Sequence, residues 1–213
     1  MVGSRIRIAG LWILVSAGVL APVAGTRAGL AQSKLTADEQ RRLDEGELVE
    51  RRSTRAHGAL RLIGGSSFQV IDASPEVVWR AVLDTPYYKR TLPQVTEARV
   101  IAEHGATRKI FVRHGSGLIQ ASYYLNLQID PAQREVKFRL DESRPHDVRA
   151  AFGFYSVRPY PGGRAVLAYG VMADIGDGLG TLLMRSSVHE WMMKVPYMMK
   201  RFVEGSGRYI YRR

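Results

Sequence analysis

Five histidines, a serine set between glycines, and a scatter of tyrosines, arginines and acids are the side chains of this 213-residue chain that could do chemistry. His57, His104, His114, His146 and His189 stand far apart, and no two have the i, i+4 spacing that puts paired metal ligands on one helix face. Four of them fall at turns or strand ends, where a solvated imidazole needs no further role. The chain has no cysteine, which excludes thiolate metal sites and disulfides, so neither a metal nor another cofactor is expected. Ser116, in His114-Gly115-Ser116-Gly117, has the neighbours of a nucleophilic serine. That device needs a strand followed by a helix, however, and here strand patterns lie on both sides, so a hairpin turn accounts for it. The GSGL and GDGLG runs lack the lysine or helix start of a phosphate-binding loop. Acid-base chemistry stays open, because Arg113, Tyr123, Arg139, Arg149, Tyr155, Tyr169 and Glu190 could face a shared pocket. No acid and base are paired at a defined spacing, and alternation turns Arg139 toward solvent.

Whatever these residues do, strands must position most of them. From Val95 to Ile175 the apolar period is two: Tyr123, Leu125, Leu127 and Ile129 alternate with polar or aromatic neighbours, as do Val136, Phe138 and Leu140 with Glu135, Lys137 and Arg139. Turn signals at Glu103-His104-Gly105, His114 to Gly117, Asp130-Pro131 and Pro161-Gly162-Gly163 divide this stretch into six strands, near 96–103, 107–114, 118–130, 133–140, 147–158 and 164–174. Such closely spaced strands form an antiparallel meander. An earlier strand over 59–71 is expected to be interrupted by a turn or bulge at Gly64-Gly65, and the charged run 47–55 suits an edge strand or lead-in.

Helix signals flank the meander. Thr36 and Glu39 have capping-box spacing. Ser74-Pro75-Glu76 combines a capping hydroxyl, a first-turn proline and an acid at the positive helix end, which predicts a helix over 75–83. Thr85-Pro86 repeats the device and predicts a second, shorter helix that carries Tyr87 and Tyr88 and stops at Leu92-Pro93. Near the C-terminus, Met184, Val188, Trp191, Val195, Met198, Met199 and Phe202 recur at spacings of three and four, the stripe of a long amphipathic helix. Pro196 lies within it and bends it.

At the N-terminus, Arg5 and Arg7 precede the apolar run Leu11 to Leu20 and then small residues, the pattern of a signal peptide. The run is shorter than the roughly 20 residues needed to span a bilayer. Residues 1–31 are therefore expected to be a signal peptide cleaved after Ala31, with Gly25 and Ala28 as alternative sites, or else an uncleaved anchor, and the protein to be exported to the periplasm or the extracellular space. The whole chain has a net charge of +11, and loss of Arg5, Arg7 and Arg27 leaves +8. For an exported protein this favours transient contact with an anionic membrane surface over nucleic acid, which is not expected as a partner. Hydrophobic residues make up 46% of the chain, enough for one well-filled domain.

The stretch SFQVIDASPEVVWRAVLDTPYYKRTLPQV resembles the opening of the START-like, polyketide-cyclase-related (SRPBCC) superfamily, which has the birch-pollen-allergen helix-grip fold and includes coenzyme Q-binding proteins. The resemblance rests on Ala73-Ser74-Pro75-Glu76, Val78-Trp79, Asp84, Tyr87-Tyr88 and Leu92-Pro93. The run Gly153 to Gly180 is similar to the family's late hairpin, and Val195-Pro196-Tyr197 to its final helix. The resemblance covers about residues 65–203. It implies an α+β helix-grip fold, in which a curved antiparallel sheet wraps a long C-terminal helix and two short helices follow the first core strand. The corresponding division is 1–31 for export, 32–58 for an N-terminal helix and lead-in strand, and 59–206 for the START-like domain.

The resemblance further implies a cavity for a hydrophobic ligand and no universal catalytic residue. The residues expected to line that cavity are Trp79, Tyr87, Tyr88, Leu92, Phe111, Tyr123, Leu125, Phe138, Phe152, Tyr155, Tyr169, Leu183, Ser187, Trp191, Val195 and Met198. The expected function is a monomeric binding or transport protein for a lipid, isoprenoid or quinone-like small molecule. A cyclase or aromatase-like enzyme using polar groups in the same pocket is the alternative, and an interaction module whose helix packs flush on the sheet is a third.

Overall fold

The computed structural model describes residues 34–116, 119–177 and 179–211; the side chains at 116, 119 and 179–183 stand outside that description. The expected export segment, residues 1–31, also lies outside the described residues. Eight strands form one curved, open antiparallel sheet: β1 (Val49–His57), β2 (Leu60–Ile71), β3 (Val95–His104), β4 (Thr107–Ser116), β5 (Ile119–Asp130), β6 (Glu135–Leu140), β7 (Ala150–Tyr160) and β8 (Arg164–Asp174). The spatial order is β1-β2-β8-β7-β6-β5-β4-β3. The six-strand meander is therefore present, and β8 closes back on β2. The charged run becomes the edge strand β1, paired with β2 from Val49↔Phe68 to His57↔Leu60.

Gly64 and Gly65 do not interrupt β2, contrary to the expected turn or bulge. Pairing continues through both on either side, with φ of 149° and 140°. A Cβ on Gly64 would lie 1.9 Å from the Val171 carbonyl oxygen, and one on Gly65 would lie 2.0 Å from that of Arg51. Two residues without side chains let β2 coil tightly between its neighbours, and this curvature makes the sheet concave.

Helix α1 (Ala37–Asp44) packs Leu43 against Val49, Phe68, Val70 and Ala168 on the outer face of the sheet. Its capping box is formed, with Glu39 N–H donating to Thr36 Oγ1 (3.2 Å) and Thr36 N–H donating to Glu39 Oε2 (2.8 Å). The Arg51 guanidinium bonds the same carboxylate (Nε to Oε1, 2.7 Å) and holds its pKa down to about 2.

Helix α2 (Pro75–Leu83) begins and ends where its signals place it, with Ser74 Oγ accepting from Val77 N–H. The second short helix differs in detail. Thr85 does not cap it; a 3-10 turn runs through Thr85–Tyr87 and leads into α3 (Tyr88–Thr91). The C-terminal helix is two helices, α4 (Leu179–Met193) and α5 (Val195–Glu204), followed by a short α6 (Gly207–Ile210). Pro196 does not bend a continuous rod. It occupies the first turn of α5, where its missing N–H would have no partner, and Lys194 at the junction has helix-ending dihedrals (φ −82°, ψ 1°). The break shifts the phase of the stripe, so Met193 and Met199 are fully buried while Met198 is half-buried.

The main core lies where α2, α3 and α5 cover the concave face, joining Ile71, Val78, Val82, Leu167, Phe202 and Val203. Tyr211 ties the C-terminus to α2 through Asp84 Oδ2, to which its hydroxyl donates at 2.9 Å. No helix among the described residues is long and apolar enough to cross a membrane.

Candidate functional site: an apolar cavity with a histidine–tyrosine pair

Under α4 the packing opens. A cavity of about 240 Å³ lies between this helix and the concave face of β4 to β8, with the end of α3 at its rim. Its floor is three rings on adjacent strands, Phe138 on β6, Tyr155 on β7 and Tyr169 on β8. Tyr155 and Tyr169 are directly opposite in the ladder, and their ring centroids are 4.8 Å apart. Phe138 fits because Gly153 faces it across the ladder; a Cβ there would come within 2.5 Å of the Phe138 ring. Burial pushes the pKa values of both hydroxyls well above the usual phenol value. The roof is Met184, Val188, Trp191 and Met192 of α4, with Val195 at the start of α5.

The wall comes from β4 and β5, where Ile110, Val112 and His114 alternate inward beside Tyr123, Leu125 and Leu127. His114 and Tyr123 are diagonal neighbours across this ladder, within reach of long side chains. His114 Nε2 is 2.8 Å from Tyr123 Oη, and Nδ1 is 3.2 Å from the Pro93 carbonyl oxygen. That carbonyl can only accept, so Nδ1 carries the ring proton and donates to it. Burial lowers the His114 pKa from its ordinary value and keeps the ring neutral. Nε2 must then accept, and the Tyr123 hydroxyl donates to it. The Tyr123 hydroxyl is itself held protonated by burial, its pKa far above the normal range.

The Leu92-Pro93 stop of α3 positions this pair. Gln94, in the left-handed region (φ 58°), accepts from Gly115 N–H at 2.9 Å, which docks the Pro93 carbonyl against β4. At the mouth, Asp147 accepts from the Ser122 N–H (2.8 Å) and hydroxyl (2.9 Å). It is the one charged residue among the described lining; no Lys, Arg or Glu is present there.

Of the residues expected at a cavity, Tyr88, Leu92, Tyr123, Leu125, Phe138, Tyr155, Tyr169, Trp191 and Val195 come together around this one. Tyr88 also donates from its hydroxyl to the Val82 carbonyl (2.9 Å). Six do not line it. Trp79 is buried in the core under α2, and Tyr87 packs on Phe202 with centroids 5.3 Å apart. Phe111 points to the outer face, because its neighbours Ile110 and Val112 take the inner one; there it sits beneath Arg99 and Arg113. Phe152 is likewise displaced by Ala151. Ser187 and Met198 are half-buried on their helices away from the opening. Leu183 has its side chain outside the described residues.

The residues considered for acid-base work divide the same way. Arg113 pairs with Glu97 (2.9 Å), Arg149 with Asp177 (2.6 Å) and Glu190 with Lys194, leaving the tyrosines inside. His114 was missed as a site residue because its turn-like Gly-Ser-Gly context masked its place in the 110, 112, 114 alternation.

No protein-family model matches the sequence, and no curated protein matches it significantly. Solved structures do. A START superfamily protein from Mycobacterium smegmatis superposes with a TM-score of 0.55 at 14% identity, covering 66% of this chain and 97% of its own. The Zhui aromatase/cyclase from Streptomyces sp. R1128 gives 0.53 at 15%, covering 68% and 98%. A STAR-related lipid transfer protein from Xanthomonas axonopodis gives 0.52 at 10%, covering 76% and 99%. At such identities the likeness speaks to architecture alone, and on that architecture, with its curved sheet, paired short helices and C-terminal helices, this chain has the helix-grip fold of START-like proteins.

Proposed function

We propose that this chain is an exported binding or transport protein for a hydrophobic small molecule, of lipid, isoprenoid or quinone-like character, held between α4 and the sheet. The observation that carries the reading is the unfilled apolar volume of about 240 Å³ beneath a half-buried helix. Protein interiors otherwise pack as densely as organic crystals, and an apolar-lined space of this size is uncommon in a core. At roughly 25 cal/mol per Å², burying about 200 Å² of ligand surface contributes about 5 kcal/mol before ordering costs. Methionines in the roof suit a pocket that accepts varied apolar shapes. The positive charge of the mature chain favours exchange of cargo at an anionic leaflet.

The test is organic extraction of protein purified from its own host, followed by mass spectrometry, together with uptake assays using quinones, fatty acids and phospholipids. A co-purifying apolar compound or saturable uptake supports the reading; absence of both removes it.

One observation favours a second reading. The His114–Tyr123 pair, set in a low-dielectric pocket, is the kind of group a cyclase-like enzyme uses for proton transfer. On that reading, incubation with a linear poly-β-ketone yields a cyclised product lighter by water, and His114→Ala abolishes its formation.

A further inference from the structure

The hydrogen-bond valences around His114 specify more than an apolar ligand. His114 has both ring nitrogens engaged, Nδ1–H on the Pro93 carbonyl and Nε2 on the Tyr123 hydroxyl. Tyr123 spends its only proton on that bond, and its oxygen has no further partner among the described residues. What remains is a phenol oxygen with a free lone pair on the cavity wall, made a better acceptor by the bond it donates. An acceptor of this kind is completed by a donor. At this point of the wall a ligand carbonyl or ether would instead meet a lone pair, or would have to take the Tyr123 hydrogen bond and leave Nε2 buried without a partner.

Charge narrows the class further. No cationic side chain is among the described lining residues, and Asp147 stands at the mouth. The sequence around the undescribed side chains, 116–119 and 178–183, contains no charged residue either. A carboxylate or phosphate headgroup drawn into this cavity would lose its hydration without gaining a counter-charge.

We infer that the cavity selects a neutral, hydroxyl-bearing apolar compound, a phenol, hydroquinone or alcohol, whose O–H donates to Tyr123 Oη in a chain that ends on the Pro93 carbonyl. This deepens the ligand-binding reading and rests on it. It distinguishes the hydroxylated member of a redox or methylation pair from its oxidised or capped partner, which apolar burial alone cannot do.

Four probes sharing one apolar body test it: naphthalene, 2-naphthol, 2-methoxynaphthalene and 2-naphthoate, titrated calorimetrically into the full mature protein at neutral pH. The naphthol is expected to bind roughly five to ten times tighter than the methyl ether, the value of about one net hydrogen bond, and at least about ten times tighter than the naphthoate, which arrives charged. In the double variant Tyr123→Phe/His114→Leu, which removes the phenol oxygen together with the imidazole nitrogen that its loss would expose, the naphthol advantage falls to parity; circular dichroism and a cooperative thermal transition show that the variant is folded. Equal or weaker binding of the naphthol in the unaltered protein overturns the inference, as does a naphthol advantage that survives the double variant, or preference for the carboxylate. If naphthalene binds but headgroups make no difference, only this inference falls. If none of the four binds, this inference falls, and the ligand-binding reading falls with it only when extraction and lipid uptake are negative as well.

Discussion

Helices α4 and α5 come from one continuous amphipathic stripe, lie over the same concave sheet, and meet it in opposite ways. Along α5, Val195, Met199, Phe202 and Val203 are all at most 5% exposed and interlock with β2, α2 and α3. Along α4, Met184, Val188, Trp191 and Met192 are only half-buried, and beneath them is space. Among the described residues, two side-chain hydrogen bonds tie α4 to the sheet: His189 Nε2 donates to the Gly64 carbonyl (2.7 Å) and the Arg185 guanidinium to that of Arg61 (2.5 Å). Burial along α5 makes the fold; incomplete burial along α4 makes the site. An apolar stripe thus reports which face turns inward and not whether that face finds a partner.

Breaking one end should not break the other. The largest effect is expected from Phe202→Ala, which removes a ring packed against Tyr87 and Tyr211 and should cost about 3–5 kcal/mol of stability, read as a lower denaturation midpoint with an unchanged denaturant slope. The folded fraction should still take up an apolar probe. Trp191→Ala should do the reverse, lowering probe affinity roughly tenfold, as loss of a central aromatic anchor does, while shifting the midpoint much less than Phe202→Ala. Comparable stability losses in the two variants would erase the distinction between the ends.

The smallest effect is expected on the outer face. Glu39, whose folded pKa is lowered to about 2 from an ordinary 4.5 by Arg51, contributes stability that is present above about pH 4.5 and lost as the pH falls toward 2. Glu39→Gln should therefore lower the midpoint slightly at pH 7 and converge with the unaltered protein by about pH 2, with probe binding untouched. A deficit of constant size across that range would mean that the carboxylate acts through packing or the helix cap instead of its charge.

Local chemistry was the most legible layer of the sequence. Ser74-Pro75 and Thr36 with Glu39 mark helix starts through bonds between near neighbours, and both form as read. The strands were legible because a two-residue period reports that a surface has two faces. It does not report which face is concave, and for that reason Phe111 and Phe152 were assigned inward when Ile110, Val112 and Ala151 take those places. Pro196 is read in the sequence as bending one long helix, and the structure makes it the first turn of a new one, because a proline within an apolar stripe is compatible with either. The pairing of His114 with Tyr123 depends on the β4–β5 register, which nothing local to either residue discloses.

Gly64 does not line the cavity, yet its clearance from the Val171 carbonyl, its φ of 149° and the hydrogen bond it accepts from His189 hang on one backbone unit. Intolerance to substitution in this chain is therefore a poor guide to ligand contact. A residue with no functional group can be as irreplaceable as any that touches cargo, since the shape of the container is written in the main chain.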